Sequence, residues 1–138
     1  QGCTSLTEAP DLPATTLASS CYSGMFQGCT SLTEAPDLPA TTLADTCYSG
    51  MFFGCTSLTE APELPATTLV FKCYETMFYG CTSLKSVKAA FTTTPGTNYT
   101  RYWLDGVSST GTFYKNKNAT WSNTDAEIPS GWTIVVRL

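Results

Sequence analysis

Eleven carboxylates and seven cysteines are the side chains best suited to acid–base, nucleophilic or metal chemistry in this chain, and histidine is absent. Both sets recur in register. Glu8, Glu34 and Glu60 form one series, and Asp11, Asp37 and Glu63 form a second. The cysteines form two more: Cys3, Cys29, Cys55 and Cys81, then Cys21, Cys47 and Cys73. A catalytic thiol needs a base within reach, so Cys–His chemistry is excluded outright. Zinc is disfavoured, because there is neither histidine nor a Cys-x-x-Cys pair. Two readings of the cysteines stay open. They fill a core as small apolar side chains, or adjacent copies pair as disulfides in an oxidising compartment. An odd number leaves at least one thiol unpaired within the chain. A glycosidase pair needs two carboxyls in different environments, which equivalent acids in a regular series do not have. No glycine-rich phosphate loop is present. The acids therefore read as a solvated face, a calcium surface built from oxygen ligands, or a partner surface, and the chain reads as non-enzymatic.

What positions these residues is a repeat. The period is 26 residues, from Cys3 to Cys29 to Cys55 to Cys81. The copies 3–28 and 29–54 differ at three positions only, Ser19/Asp45, Ser20/Thr46 and Gln27/Phe53, and the copy 55–80 differs from its predecessor at seven. A fixed period in the twenties marks a solenoid whose units bury their apolar sides against one another. Within a unit, Leu6–Ala9 reads as a short strand stacked in parallel on its copies. Pro10 and Pro13 exclude a long helix and form a bend. Ser19 or Ser20 is placed to cap a short helix, on which Cys21/Met25 and Tyr22/Phe26 are i,i+4 pairs. Gly28 suits the left-handed position that ends it.

The motif Met-Phe-x-Gly-Cys-Thr-Ser-Leu-Thr (Met25–Thr33 and its copies), followed by a proline-containing half-repeat, resembles the BspA-like leucine-rich repeats of Bacteroides-type surface proteins. The resemblance covers residues 1–88 and implies a secreted or cell-surface protein with an adhesive role. It carries no catalytic residues over. The expected fold is an α/β-type leucine-rich repeat solenoid, with short parallel strands and short helices, closed by a small β-rich cap. Residues 1–88 hold three full repeats and a partial fourth, and 89–138 form the cap. Because Gln1-Gly2-Cys3 enters in mid-motif, further repeats are expected upstream.

In such a stack equivalent residues become columns at the strand spacing of ~4.8 Å. Exposed like charges at that spacing repel by roughly 1 kcal/mol per pair, and Lys85 and Lys88 in the fourth copy are expected to balance the acidic columns. The threonine columns (Thr4, Thr15, Thr16 and their copies) read as hydroxyls bonding between coils. One column drifts from Ser19 through Asp45 to Phe71, which predicts that the closing segment packs over Phe71. In that segment Gly111–Lys115 and Trp132–Val136 read as strands, and Tyr99–Leu104 as a strand or a short helix. Trp103, Trp121 and Trp132 read chiefly as core. Trp121, in a polar stretch, is the candidate for stacking on a sugar ring.

The net charge of −4 argues against nucleic acid, and no run approaches the ~18 apolar residues of a membrane-spanning helix. The function expected is binding or adhesion to a host or matrix protein or glycan, on a cell surface or secreted. The alternative is a spacer or display array, on a cell or a phage particle, without a specific ligand.

Overall fold

A computed structural model describes residues 3–137. Its regular elements are three short strands, β1 (Ser86–Ala89), β2 (Gly111–Asn116) and β3 (Trp132–Arg137). They form one open sheet in the order β1-β2-β3, parallel throughout. Among the described residues there is no helix. The α/β-type leucine-rich repeat solenoid with short helices is therefore overturned.

The reason lies in the segment expected to be helical. Ser20, Gly24 and Gly28 all have positive φ, at 59°, 62° and 73°. A left-handed residue at every fourth position destroys the run of i→i−4 bonds that a helix requires. The backbone instead alternates its partners. Ser23, Met25 and Gln27 donate to Ser20, Tyr22 and Gly24 three residues back. Tyr22, Gly24, Phe26 and Gly28 donate across to Cys47, Ser49, Met51 and Phe53 of the next copy. Each coil thus satisfies half of these N–H groups locally and half on its neighbour. The unit of this turn ladder is four residues, so side chains four apart share a face, as they do on a helix. The i,i+4 pairing seen in the sequence was real, but the backbone beneath it is a chain of turns.

The expected strand at Leu6–Ala9 is reduced to a single parallel bridge, Glu8 to Glu34. Prolines at 10, 36 and 62 remove the ladder donor at that place in three copies. In the fourth copy Lys88 stands where Pro62 stood, the N–H returns, and β1 forms. Glu60 bridges Ser86 while Leu64 bridges Ala89. Four steps thus face three, and a one-residue bulge lies around Pro62.

Stacking continues past the end of the sequence repeat. Tyr74, Thr76, Phe78 and Gly80 donate to Tyr99, Arg101, Trp103 and Asp105. β1 and β2 also keep the 26-residue register, with Ser86 opposite Thr112 and Val87 opposite Phe113. Tyr99–Leu104 is accordingly another turn ladder, neither strand nor helix. Left-handed backbone persists at Thr76 (φ 51°) and Tyr102 (φ 57°), where Gly24 and Gly50 stood in earlier coils.

The core is a set of columns running along the stack. Tyr22, Tyr48 and Tyr74 stack at centroid distances of 6.0 and 6.1 Å, and Trp103 continues the pile at 5.8 Å. Phe26, Phe52 and Phe78 stack at 5.6 and 5.7 Å beside them. Leu32, Leu58 and Leu84 are fully buried. Each indole N–H reaches a backbone carbonyl: Trp103 to Ala126, Trp121 to Phe91 and Trp132 to Ser108. Phe71 is not covered by the closing segment. It stays about half exposed, at 49%, with the Lys72 ammonium 5.2 Å from its ring centroid.

Phe52→Ala should cost about 3–5 kcal/mol in urea denaturation, since it removes a buried ring between two stacked neighbours. Gly111→Ala should cost about 1–3 kcal/mol, because the added Cβ meets the Lys85 carbonyl and the Trp132 ring, both at 2.6 Å.

Candidate functional site

The stacked acids line a groove of about 580 Å³. Glu34 and Asp37 come from one coil, Glu60 and Glu63 from the next, and Ser86 and Lys88 from β1. Thr33 and Thr59 lie between them. The proline-bearing half of each coil holds these side chains outward, while Leu38 and Leu64 turn inward and are buried. Glu8 and Asp11 continue the series on the first coil, exposed but outside the groove.

Among the described residues none of the four acids forms an ion pair within 4.0 Å. Among the described residues the ion pair within 4.0 Å is Lys72–Glu75, on another side of the stack. Of the two lysines expected to balance the acids, Lys88 lines the groove but neither forms an ion pair within 4.0 Å among the described residues. Lys85 is exposed, and the Lys88 Nζ lies 5.5 Å from the centroid of the Tyr114 ring, at the edge of the groove. Calcium fares no better. Among the described residues no group of three or more acidic, cysteine or histidine side chains is placed to hold a metal ion. Calcium needs six to eight oxygens converging at ~2.3–2.6 Å, whereas these carboxylates project side by side from successive coils.

Trp121 is unavailable to a sugar. It is 2% exposed. One face stacks on Phe91 at 5.1 Å, Phe113 meets it edge-on, and the Lys115 ammonium lies 4.4 Å from its centroid. The polar residues around it in the sequence gave no sign that Phe91 and two residues of β2 converge on the ring.

Cys21, Cys29, Cys47, Cys55, Cys73 and Cys81 are free thiols. Cys29, Cys47, Cys55, Cys73 and Cys81 are fully buried, and Cys3 and Cys21 are exposed. The thiols of Cys55 and Cys81 donate to the carbonyls of Phe26 and Phe52 at 3.0 Å. The stack thus uses them as core side chains that also bind backbone across the coils. Burial raises their pKa values, to about 11 for Cys47 and about 12 for Cys55, Cys73 and Cys81. Such thiols are poor nucleophiles near neutral pH. Hydroxyl bonds between coils come from columns other than those of Thr4, Thr15 and Thr16: Thr33 Oγ1 donates to the Thr7 carbonyl at 3.2 Å and Ser57 Oγ to the Thr30 carbonyl at 2.6 Å.

Sequence reasoning missed one surface feature. Phe53 and Tyr79 stack at 4.8 Å on the outside of the turn ladder. The drift from Gln27 to Phe53 to Tyr79 was its signal.

Comparison with known proteins finds no match among protein-family models, curated proteins or solved structures.

The buried thiols make stability fall in alkali. A raised folded-state pKa favours the protonated form on folding, so the contribution is whole below the unfolded value near 9.0 and is lost as pH rises toward 11–12. Urea midpoints should be flat between pH 6 and 8 as far as these groups go, and should decline above about pH 9. Replacing Cys55 and Cys81 with Ala should flatten that decline while lowering the neutral-pH midpoint.

Proposed function

We propose that the chain is a non-enzymatic binding module of a secreted or cell-surface protein, and that the acidic groove receives a basic segment of a host or matrix protein. The observation that carries this reading is the set of four exposed carboxylates, Glu34, Asp37, Glu60 and Glu63, gathered in one groove that Lys88 alone lines as a cation, with none of the four in an ion pair within 4.0 Å among the described residues. Their mutual repulsion, roughly 1 kcal/mol per neighbouring pair, is relieved when a lysine- or arginine-bearing segment lies along the stack. The repeat gives such a segment successive acids at a fixed step, and Ser86 with the β1 backbone closes one end. An acidic glycan is disfavoured by the same charge. The resemblance to BspA-like surface repeats supports the setting. The second reading is a spacer or display array, favoured by the near-identity of the first two coils.

Binding of the chain to an array of matrix proteins and glycans separates the two. The module reading expects retention of a basic protein, weakened by raising salt from 0.05 to about 0.5 M, where screening shortens to a few ångströms. Combined replacement of Glu34, Asp37, Glu60 and Glu63 by their amides should weaken it by about tenfold or more, with the fold intact. If no component of the array is retained even at low salt, the spacer reading stands.

A further inference from the structure

The outward columns change character where the sequence repeat ends. Glu8 bridges Glu34, and Glu60 bridges Ser86. Ser86 stands opposite Thr112, and Thr112 opposite Thr133. The column of Glu8, Glu34 and Glu60 thus runs on into three hydroxyls. Beside it, Lys88 stands opposite Tyr114 and Tyr114 opposite Val135. Arg137 lies two residues beyond Val135 on β3, and so on the same face of the sheet. The Lys88 Nζ and the Arg137 guanidinium carbon lie 5.5 and 5.2 Å from the centroid of the Tyr114 ring. One ring therefore holds two cations on the outer face of the closing sheet.

These cations border the acidic groove directly. Glu63 and Lys88 line the groove, and they also line a small hollow together with Tyr114 and Arg137. Yet the acids do not engage them. Among the described residues neither Lys88 nor Arg137 makes an ion pair within 4.0 Å. Arg137 is exposed and Lys88 half-buried, so both are open to a ligand, and Ser86, Thr112 and Thr133 beside them are half-buried or exposed. The outer face of the stack is thus zoned. Acids occupy the second and third coils, and two cations and three hydroxyls occupy the sheet that follows. A ligand that is basic along its whole length is attracted over the first zone and repelled over the second.

We infer that the outer face of the closing sheet is a carboxylate subsite, built from Lys88, Arg137 and the hydroxyls of Ser86, Thr112 and Thr133, and that the partner segment carries acidic residues next to its basic ones. This rests on the reading of the groove as the site of a basic segment and supplies the second half of that segment. Charge complementarity selects the occupant. A guanidinium presents paired N–H groups that match the two oxygens of a carboxylate, and an anion beside Tyr114 relieves the repulsion between its two cations. A purely acidic segment is turned away by Glu34, Asp37, Glu60 and Glu63, whereas a segment of mixed charge meets its complement in both zones. The stack also sets the spacing. From the middle of the four acids to Tyr114 is two and a half steps, or ~12 Å at the strand spacing. That distance corresponds to about four residues of extended chain.

The test titrates the intact chain against fluorescein-labelled peptides and reads anisotropy at about 0.02 M salt, where screening is weak. The mixed peptides are Lys-Ser-Lys-Ser-Glu-Ser-Glu and the reverse order, so that both chain directions are sampled. Each has a counterpart with glutamine in place of glutamate. On the unaltered chain the better mixed peptide should bind about fivefold or more tightly than its glutamine counterpart. Lys88→Gln with Arg137→Gln should erase that margin and tighten the glutamine peptide, because the repelling charges are gone. Lys88→Glu with Arg137→Glu should reverse the preference. Arg137→Gln alone, at an exposed side chain, should narrow the margin with the urea midpoint unchanged. Equal binding of mixed and glutamine peptides to the unaltered chain, or a preference that survives Lys88→Gln with Arg137→Gln, overturns the carboxylate subsite and leaves the basic-segment reading of the groove in place. Binding of none of the peptides overturns that reading and the subsite with it.

Discussion

The structure depends on backbone hydrogen bonds that cross from coil to coil. In the turn ladder a coil cannot satisfy its own N–H groups. Alternate donors reach three residues back, and the others find carbonyls only on the next coil. A buried amide without a partner costs about 1–3 kcal/mol, so an isolated coil is unfavourable before its side chains are considered. Stacking resolves this, and in doing so it sets equivalent side chains directly above one another. The tyrosine and phenylalanine columns, the sulfur columns and the acidic columns all follow from that one constraint. What distinguishes them is the direction in which each position faces.

The same constraint explains why the closing half of the chain stacks without repeating the sequence. Ladder bonds are made by backbone, so residue identity is free wherever dihedral angles can be met. Thr76 and Tyr102 adopt left-handed φ at places where glycine stood earlier. For residues with a Cβ that conformation costs about 1–2 kcal/mol. It is held by ladder bonds on both sides, Thr76 to Arg101 and Gly50 to Glu75. Trp103 follows Met77 in the 26-residue count, yet its ring stacks on Tyr74 and continues the tyrosine column. The loss of proline at Lys88 converts an isolated bridge into a strand and begins the sheet.

Much of this was legible in the sequence, and the misreadings have physical causes. The 26-residue register, the inward cysteines and leucines and the outward acids follow from the spacing alone. The helix at 19–27 did not survive, because a four-residue turn unit and a 3.6-residue helix place i and i+4 on one face alike. Gly24, in the middle of that segment, was the residue that told them apart. Trp121 was misplaced because its neighbours in sequence are polar while its neighbours in space are Phe91, Phe113 and Lys115. Phe71 was expected to be covered on the strength of its type, but it lies on the outer side of the ladder, which the closing segment does not reach. The groove was legible as columns of charge. Its closure by Ser86 and Lys88 required the stacked geometry.

The cross-coil bonds also fix how the molecule responds to force. They run along the stack, and the first coil and β3 sit at opposite ends of it. Tension applied between those ends loads each junction between coils in series. Bonds pulled along their own direction from one edge yield a few at a time, so coils should peel away singly and lengthen the chain in steps of one repeat. A protein tethered at one end and gripped at the other would then behave as a graded extensible link, releasing slack under load while the remaining coils keep their shape.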